Sequence, residues 1–78
     1  MIPRHPQPPH VPVKSTNIKS VAYQPDSQML QVRFHSGDTY NFWGVHPTVH
    51  DALMAATSKG KFFDQAIRNR YRSTLVRD

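Results

Sequence analysis

The residues most able to contact a partner are basic side chains near the end of the chain. After residue 58 the sequence contains six lysines and arginines against two aspartates, and the six are Lys59, Lys61, Arg68, Arg70, Arg72 and Arg77. Such a concentration of positive charge attracts polyanions such as RNA, or acidic protein surfaces. A general gain in solubility is the alternative explanation. The charge pattern therefore makes these residues candidates for contacts with a partner.

Two aromatic residues could add the stacking of unpaired bases to these charge contacts. Tyr40 and Trp43 lie in a segment that reads as a strand, at opposite parities of its alternation. Each base stacked on an aromatic side chain contributes about 1–3 kcal/mol. A chain of 78 residues can bury only a small core, and most of its aromatic residues are expected to pack there. Trp43, near the strand end, is therefore the best candidate for an exposed aromatic, with Tyr40 second.

Metal and catalytic chemistry receive little support from the residue pattern. His46 and His50 are four residues apart and could face one another on a helix, but two ligands do not make a zinc site. The sequence has no nucleophile elbow, no paired-carboxylate spacing and no glycine-rich phosphate loop. We therefore expect no enzymatic activity, no metal and no other cofactor.

Length and composition indicate one small domain. The 78 residues carry ten lysines and arginines against five acidic residues, a net charge of +5. There is no cysteine, which favours a reducing compartment, and no apolar run of about 18 residues that could span a bilayer. The N-terminal segment also lacks the apolar centre of a signal peptide. We expect a cytoplasmic monomer that does not contact a membrane.

The elements that must position the candidate residues begin after a proline-rich segment. Residues 1–13 contain most of the prolines, which lack the amide donor that helices and central strands need. We predict a disordered arm at 1–13 and a folded domain at 14–78. Alternation and turn residues then predict three strands in an antiparallel meander, at 17–23, 28–35 and 38–43, with Ser36-Gly37 as a hairpin turn. The second strand is expected to be buried on one face only.

From residue 46 onward the spacing of apolar residues becomes helical. A first helix is predicted to begin around His46-Pro47-Thr48 and to end at Gly60, and a second to run from about Lys61 to Tyr71. The complete prediction is an α+β domain of order β-β-β-α-α. Its expected core is Leu30, Val32, Phe34, Val49, Leu53, Phe63 and Ile67.

Helical geometry then predicts a basic stripe on the second helix. At about 100° per residue, its solvated side would collect Lys61, Gln65, Arg68 and Arg72. Arg70 would instead project into the apolar arc, where its stem packs and its head reaches water at the helix end, or where it marks a contact surface.

Several short motifs together resemble one known family. They are Lys14-Ser15-Thr16-Asn17-Ile18, Tyr40-x-Phe42, Val45-His46-Pro47, and Ser58-Lys59-Gly60-Lys61-Phe62-Phe63 followed by Ile67 and Tyr71. In this order they resemble the KTSC domain, named for the C-terminal domain of some lysyl-tRNA synthetases. The sequence differs from the family pattern at Phe42, where the family prefers tyrosine, and at His46, which interrupts a Val-Pro step.

The resemblance implies a module that acts on RNA or on RNA-handling machinery. Family members occur fused to a synthetase or alone, sometimes in phage genomes. Direct RNA binding would use Lys59 and the helical stripe for phosphates. The alternative is a small phage-type transcription regulator that binds the protein surface of host RNA polymerase. The expected contact residues for either partner are Lys59, Lys61, Arg68, Arg70, Arg72, Trp43 and Tyr40.

Overall fold

Five antiparallel strands form one sheet in the computed structural model, which describes residues 9–76. Strands β1 (Val11–Pro12), β2 (Ile18–Gln24), β3 (Met29–Phe34) and β4 (Thr39–Trp43) come first, then helices α1 (Pro47–Ala55) and α2 (Lys59–Ala66), then β5 (Arg72–Val76). The spatial order of the strands equals their sequence order. The α+β class, with two helices and an antiparallel sheet, is confirmed, and the three predicted strands correspond to β2, β3 and β4.

The prediction of three strands is wrong, because one further strand is added at each edge of the sheet. Val11 pairs with Val21 and Pro12 pairs with Ser20, so the predicted disorder is wrong for these two residues. Proline fits there because an edge strand leaves one row of amides unpaired. The part of the predicted arm at residues 1–8 lies outside the described residues.

The second added strand follows a turn that replaces the end of the predicted second helix. Helix α2 ends at Ala66, and Ile67 leaves helical geometry with φ −124°. The chain then turns and β5 pairs with β4 from Trp43↔Arg72 to Thr39↔Val76. Pairing along a whole strand, with β-favouring Thr74 and Val76, outweighs one more turn of helix.

Side chains cap the start of both helices. The ring Nδ1 of His46 accepts the amide N–H of Thr48, and Ser58 Oγ accepts the amide N–H of Lys61. Helix α1 ends at Ala55, followed by an extended Ala56. The predicted role of Gly60 as the end of the first helix is therefore wrong, because Gly60 lies inside α2.

Both helices pack on one face of the sheet, and the core lies between the helices and that face. The fully buried cluster is Ile18, Val21, Leu30, Val32, Phe42, Val45, Leu53, Phe63 and Ile67. All seven predicted core residues belong to this packing, although Phe34 and Val49 are only half-buried. The prediction missed Ile18, Val21, Phe42 and Val45, whose neighbours in sequence show no clean alternation.

Tyr23 connects the sheet to the loop that leads into α1. Its hydroxyl donates a hydrogen bond to the carbonyl of Val45, a fully buried residue. Its ring stacks on His50 of α1, with centroids 4.4 Å apart and planes within 7°. Burial, assisted by the negative charge of Asp51, raises the pKa of Tyr23 above its ordinary value. The neutral phenol is therefore the form that the fold prefers.

Candidate nucleic-acid interface

Two of the sequence motifs meet at the start of α2. Ser15 Oγ accepts the amide N–H groups of Asn17 and Ile18, both at 3.2 Å, which holds the segment before β2 in a tight turn. A Cβ on Gly60 would lie 3.3 Å from that same oxygen. Glycine at position 60 therefore allows the first turn of α2 to approach the Ser15 turn closely.

An open hollow of about 310 Å³ lies along this contact. It is lined by residues 14–17, by residues 57–61 and by Asp64. Three lysines contribute to it, Lys14, Lys59 and Lys61, and we call it the lysine hollow. Lys59 Nζ donates to the carbonyl of Ala56 at 2.9 Å, while Lys14 and Lys61 are exposed. The hollow therefore contains two of the predicted contact residues, Lys59 and Lys61. It also contains Lys14, which was not among the predicted contact residues.

A second, larger recess adjoins the first. This aromatic groove has a volume of about 610 Å³ and is lined by Thr16, Asn17, Phe34, His35, Ser36, Asp38, Tyr40, Phe42, Phe63, Arg68, Asn69 and Ser73. Phe63 and Phe42 are buried beneath it, with their rings packed edge to face at 5.2 Å. Phe34 and Tyr40 are half-buried, 6.0 Å apart in a T-shaped pair, and are its more accessible aromatic residues.

The hollow and the groove form one continuous surface. Thr16 and Asn17 line both. An ion pair also joins them, because Asp64 of the lysine hollow lies 3.1 Å from Arg68 of the aromatic groove. The Arg68 guanidinium lies over the ring of Phe63, 5.5 Å from its centroid, and its side chain remains 52% exposed. Arg68 therefore keeps donors available beside an aromatic wall.

The remaining predicted contact residues lie elsewhere. Trp43 and Arg72 are direct partners across β4 and β5, on the face of the sheet opposite the helices. Trp43 is 39% exposed, and its Nε1–H donates to Thr74 Oγ1 at 3.1 Å. Arg70 lies in the turn after α2, where its Nε donates to the carbonyl of Gln65 at 3.2 Å.

The predicted basic stripe is therefore wrong as a single helical face. It required a helix as far as residue 72, and α2 ends at Ala66. Lys61 and Arg68 remain on the surface formed by the two recesses, whereas Arg72 belongs to the opposite face of the sheet. Arg70 does not project into the core, because it is exposed in the turn.

The opposite face also contains a chain of polar side chains. His10 Nε2 donates to Gln31 Oε1 at 2.6 Å, its Nδ1 lies 2.8 Å from Ser20 Oγ, and Gln31 Nε2 donates to Asn41 at 2.9 Å. Ser20 and Gln31 are both 6% exposed, so the expected one-sided burial of the second predicted strand is wrong at Gln31. Neither recess includes Ser20 or His10. Through these contacts His10 links the segment before β1 to β2 and β3.

The two histidines considered as metal ligands have other contacts. His46 caps α1, and His50 stacks on Tyr23. Among residues 9–76, no group of three or more histidine, aspartate or glutamate side chains could hold a metal ion. In the same residues no helix has the length and apolar character needed to cross a bilayer.

Comparison with known protein families and curated sequences gives consistent matches. The model of the KTSC domain matches residues 14–71. A protein of Tsukamurella paurometabola is 40% identical over 65 residues, a match that covers 83% of this chain and 97% of that protein. A lysine–tRNA ligase of a Nostoc species is 36% identical over 55 residues, which cover 70% of this chain but only 10% of the ligase.

A solved structure has the same fold. The crystal structure of a KTSC domain protein from Yersinia pestis superposes with a TM-score of 0.86 at 36% identity, covering 88% of this chain and 97% of that one. The five-stranded sheet with two helices is therefore matched along nearly the whole length of a chain of similar size.

Proposed function

The chain belongs to the KTSC domain family, and from this premise we propose that it is a non-enzymatic module that binds RNA. The binding surface in this proposal is the lysine hollow together with the aromatic groove. Lys14, Lys59, Lys61 and Arg68 contact phosphates, and Tyr40 lies where a base can reach it. The module works in the cytoplasm, in keeping with a chain that has no cysteine.

One observation carries this proposal, which is the continuity of the two recesses. RNA recognition needs cations for the backbone and aromatic surface for unstacked bases, close enough for one strand to contact both. Here Thr16 and Asn17 belong to both recesses, and Arg68 and Asp64 bridge them. The net charge of +5 adds a long-range attraction for a polyanion.

The relatives give independent support. Cyanobacterial lysine–tRNA ligases include a segment that is 34–36% identical to 55 residues of this chain. By their name these ligases act on an RNA. A common interaction with RNA would account for the presence of the same module in these enzymes and in small separate proteins.

A protein partner such as RNA polymerase is the second candidate, and a different surface favours it. Trp43 and Arg72 lie side by side on the face opposite the helices, and tryptophan and arginine are enriched among residues that dominate protein–protein binding energy. The two candidate functions therefore use opposite faces of the molecule, which makes them separable by mutation.

The test compares two charge-reversal variants that change the net charge equally. Lys14→Glu/Lys61→Glu alters the lysine hollow, and Arg33→Glu/Arg72→Glu alters exposed positions on the opposite face. Each lowers the net charge of +5 by four, so the general electrostatic attraction falls by the same amount. Both should fold, because exposed charges contribute little to stability and a glutamate at 61 completes a capping box with Ser58.

Binding of a fluorescently labelled single-stranded RNA is then measured by anisotropy over a range of salt concentrations. The lysine-hollow variant should lose affinity well beyond the control, and its log–log salt slope should fall by about 1.4, because two contacts to a single strand are removed. Equal losses in both variants would mean that only net charge matters. Absence of RNA binding by the unmodified protein, together with retention of a polymerase subunit that depends on Trp43, would favour the protein partner.

A further inference from the structure

We propose that the aromatic groove accepts one unpaired RNA base, so that the module selects single-stranded over fully paired RNA. This inference rests on the proposed function and specifies its ligand. It assigns binding roles to Phe34 and Tyr40, the two half-buried aromatic residues of the groove.

The shape of the groove carries the first step. The recess lies between the β3–β4 hairpin and the turn that follows α2, with buried Phe42 and Phe63 beneath it. A base inside a duplex is stacked and paired, and the wide minor groove of A-form RNA presents no single group that could enter such a recess. An unstacked base is flat, apolar on both faces and attached to a flexible backbone, so it can enter.

The arrangement of the rings carries the second step. Phe34 packs edge to face against Tyr40 at 6.0 Å and against Phe63 at 5.5 Å. These rings contact one another and leave no open slot between parallel faces. A base would therefore lie on the accessible surface of Phe34 and Tyr40, and not in a slot between two parallel rings.

The surrounding polar groups carry the third step. Arg68, Asn69 and Ser73 line one side of the groove, and Asn17 and Thr16 connect it to the lysine hollow. A base in the groove thus has hydrogen-bonding groups at its edge, while the neighbouring phosphates extend toward Arg68 and the lysines. The rings of the groove thus suit one base, and the nearby cations suit the phosphates on either side of that base.

The experiment uses three RNA ligands of equal length, namely a single-stranded octamer, an octamer with the same phosphates but no bases, and a blunt duplex. The single strand should bind the full-length protein roughly 5- to 150-fold more tightly than the abasic octamer, as expected for one stacked base. The duplex should bind less tightly than the single strand, although it has twice the phosphates. The fluorescence of a 2-aminopurine base in the single strand should change on binding, because the base leaves its neighbours and stacks on the groove.

Two variants locate the effect. Tyr40→Leu and Phe34→Leu keep apolar side chains in the half-buried positions, and each should reduce binding of the single strand while leaving binding of the abasic octamer unchanged. Trp43→Leu, on the opposite face of the sheet, is the matched aromatic control and should change neither. Circular dichroism checks that each variant is folded. If a variant does not fold, the comparison of the three RNA ligands with the wild-type protein still tests the inference.

The outcomes separate this inference from the function on which it rests. Equal affinity for the single-stranded and abasic octamers, with both reduced by Lys14→Glu/Lys61→Glu, would leave RNA binding in place and overturn the base site. A ligand preference that is removed by Trp43→Leu and not by Tyr40→Leu would also overturn it. Failure to bind any of the three RNAs would instead overturn the proposed function.

Discussion

Removal of one hydroxyl, by Tyr23→Phe, tests how the sheet holds the loop before α1. The hydroxyl donates to the carbonyl of Val45, and Val45 is fully buried. The substitution keeps the ring, so its stacking on His50 at 4.4 Å is retained. What is lost is the partner of a buried carbonyl, which costs about 1–3 kcal/mol.

In a domain of this size, the loss of this hydrogen bond should lower the midpoint of thermal unfolding, Tm, by several degrees or more. A change of 1 kcal/mol shifts Tm by about 4–8 °C in domains of 60–100 residues, so Tyr23→Phe should lower Tm by roughly 4–24 °C. Tyr71→Phe is the matched control, because within residues 9–76 the Tyr71 hydroxyl makes no hydrogen bond. That control should shift Tm much less.

The raised pKa of Tyr23 adds a pH signature. Because the folded-state pKa lies above the unfolded value of about 10, the folded state binds more protons than the unfolded state in this range. The stability from the neutral phenol is therefore fully present below pH 10 and is lost as pH rises through the folded-state pKa.

The measurement is urea unfolding of the wild type and Tyr23→Phe between about pH 8 and 11, where the tyrosine titrates. The difference in stability between the two proteins should shrink as pH rises. A cost below about 0.5 kcal/mol at pH 8 would mean that water replaces the hydroxyl at the Val45 carbonyl, and the reasoning from burial would be refuted. A difference that grows with pH would refute the assigned direction of the pKa shift.

Two further predictions concern packing. Gly60→Ala places a methyl group 3.3 Å from Ser15 Oγ, which is held by two amide N–H groups, so the crowding should offset the gain of about 0.5–1 kcal/mol from helix propensity. The same substitution made in a Ser15→Ala background should be more favourable, and a thermal double-mutant cycle that shows no coupling would contradict the contact. Leu53→Ala deletes the fully buried side chain of α1 and should cost about 2–5 kcal/mol, enough to leave much of so small a domain unfolded by circular dichroism at 37 °C. Met54→Ala, at a partly buried position of the same helix, is its control and should cost clearly less.

The strands and helices that depend on local periodicity could be read from the sequence. Alternation identified β3 through Leu30 and Val32, and the Ser36-Gly37 turn joined it to β4, where Gly37 has φ 103°. His46-Pro47 marked the start of α1. The ordered motifs indicated the KTSC family, and the family model and the Yersinia pestis structure confirm this. These features follow from φ preferences and side-chain alternation, which act over a few residues.

The candidate interface was predicted only in part. Lys59, Lys61, Arg68 and Tyr40 line the two recesses, but Lys14 and Phe34 were not assigned to a binding surface. Lys14 is distant in sequence from the lysines it joins, and its position depends on the Ser15 turn packing on Gly60. Local patterns carry no information about such an approach.

The ends of the sheet were decided by tertiary structure. The predicted second helix ran to about Tyr71, but the chain turns after Ala66, and β5 forms at Arg72–Val76 because the exposed edge of β4 offers hydrogen bonds to a whole strand. That pairing moves Arg72 beside Trp43 and away from Arg68, which divides one predicted stripe between two faces. The sequence by itself determined the family, the central hairpins and the basic character of the chain. Which charges share a surface was decided by long-range strand pairing, because hydrogen bonds between distant segments outweigh the weak preference of a short segment for helix.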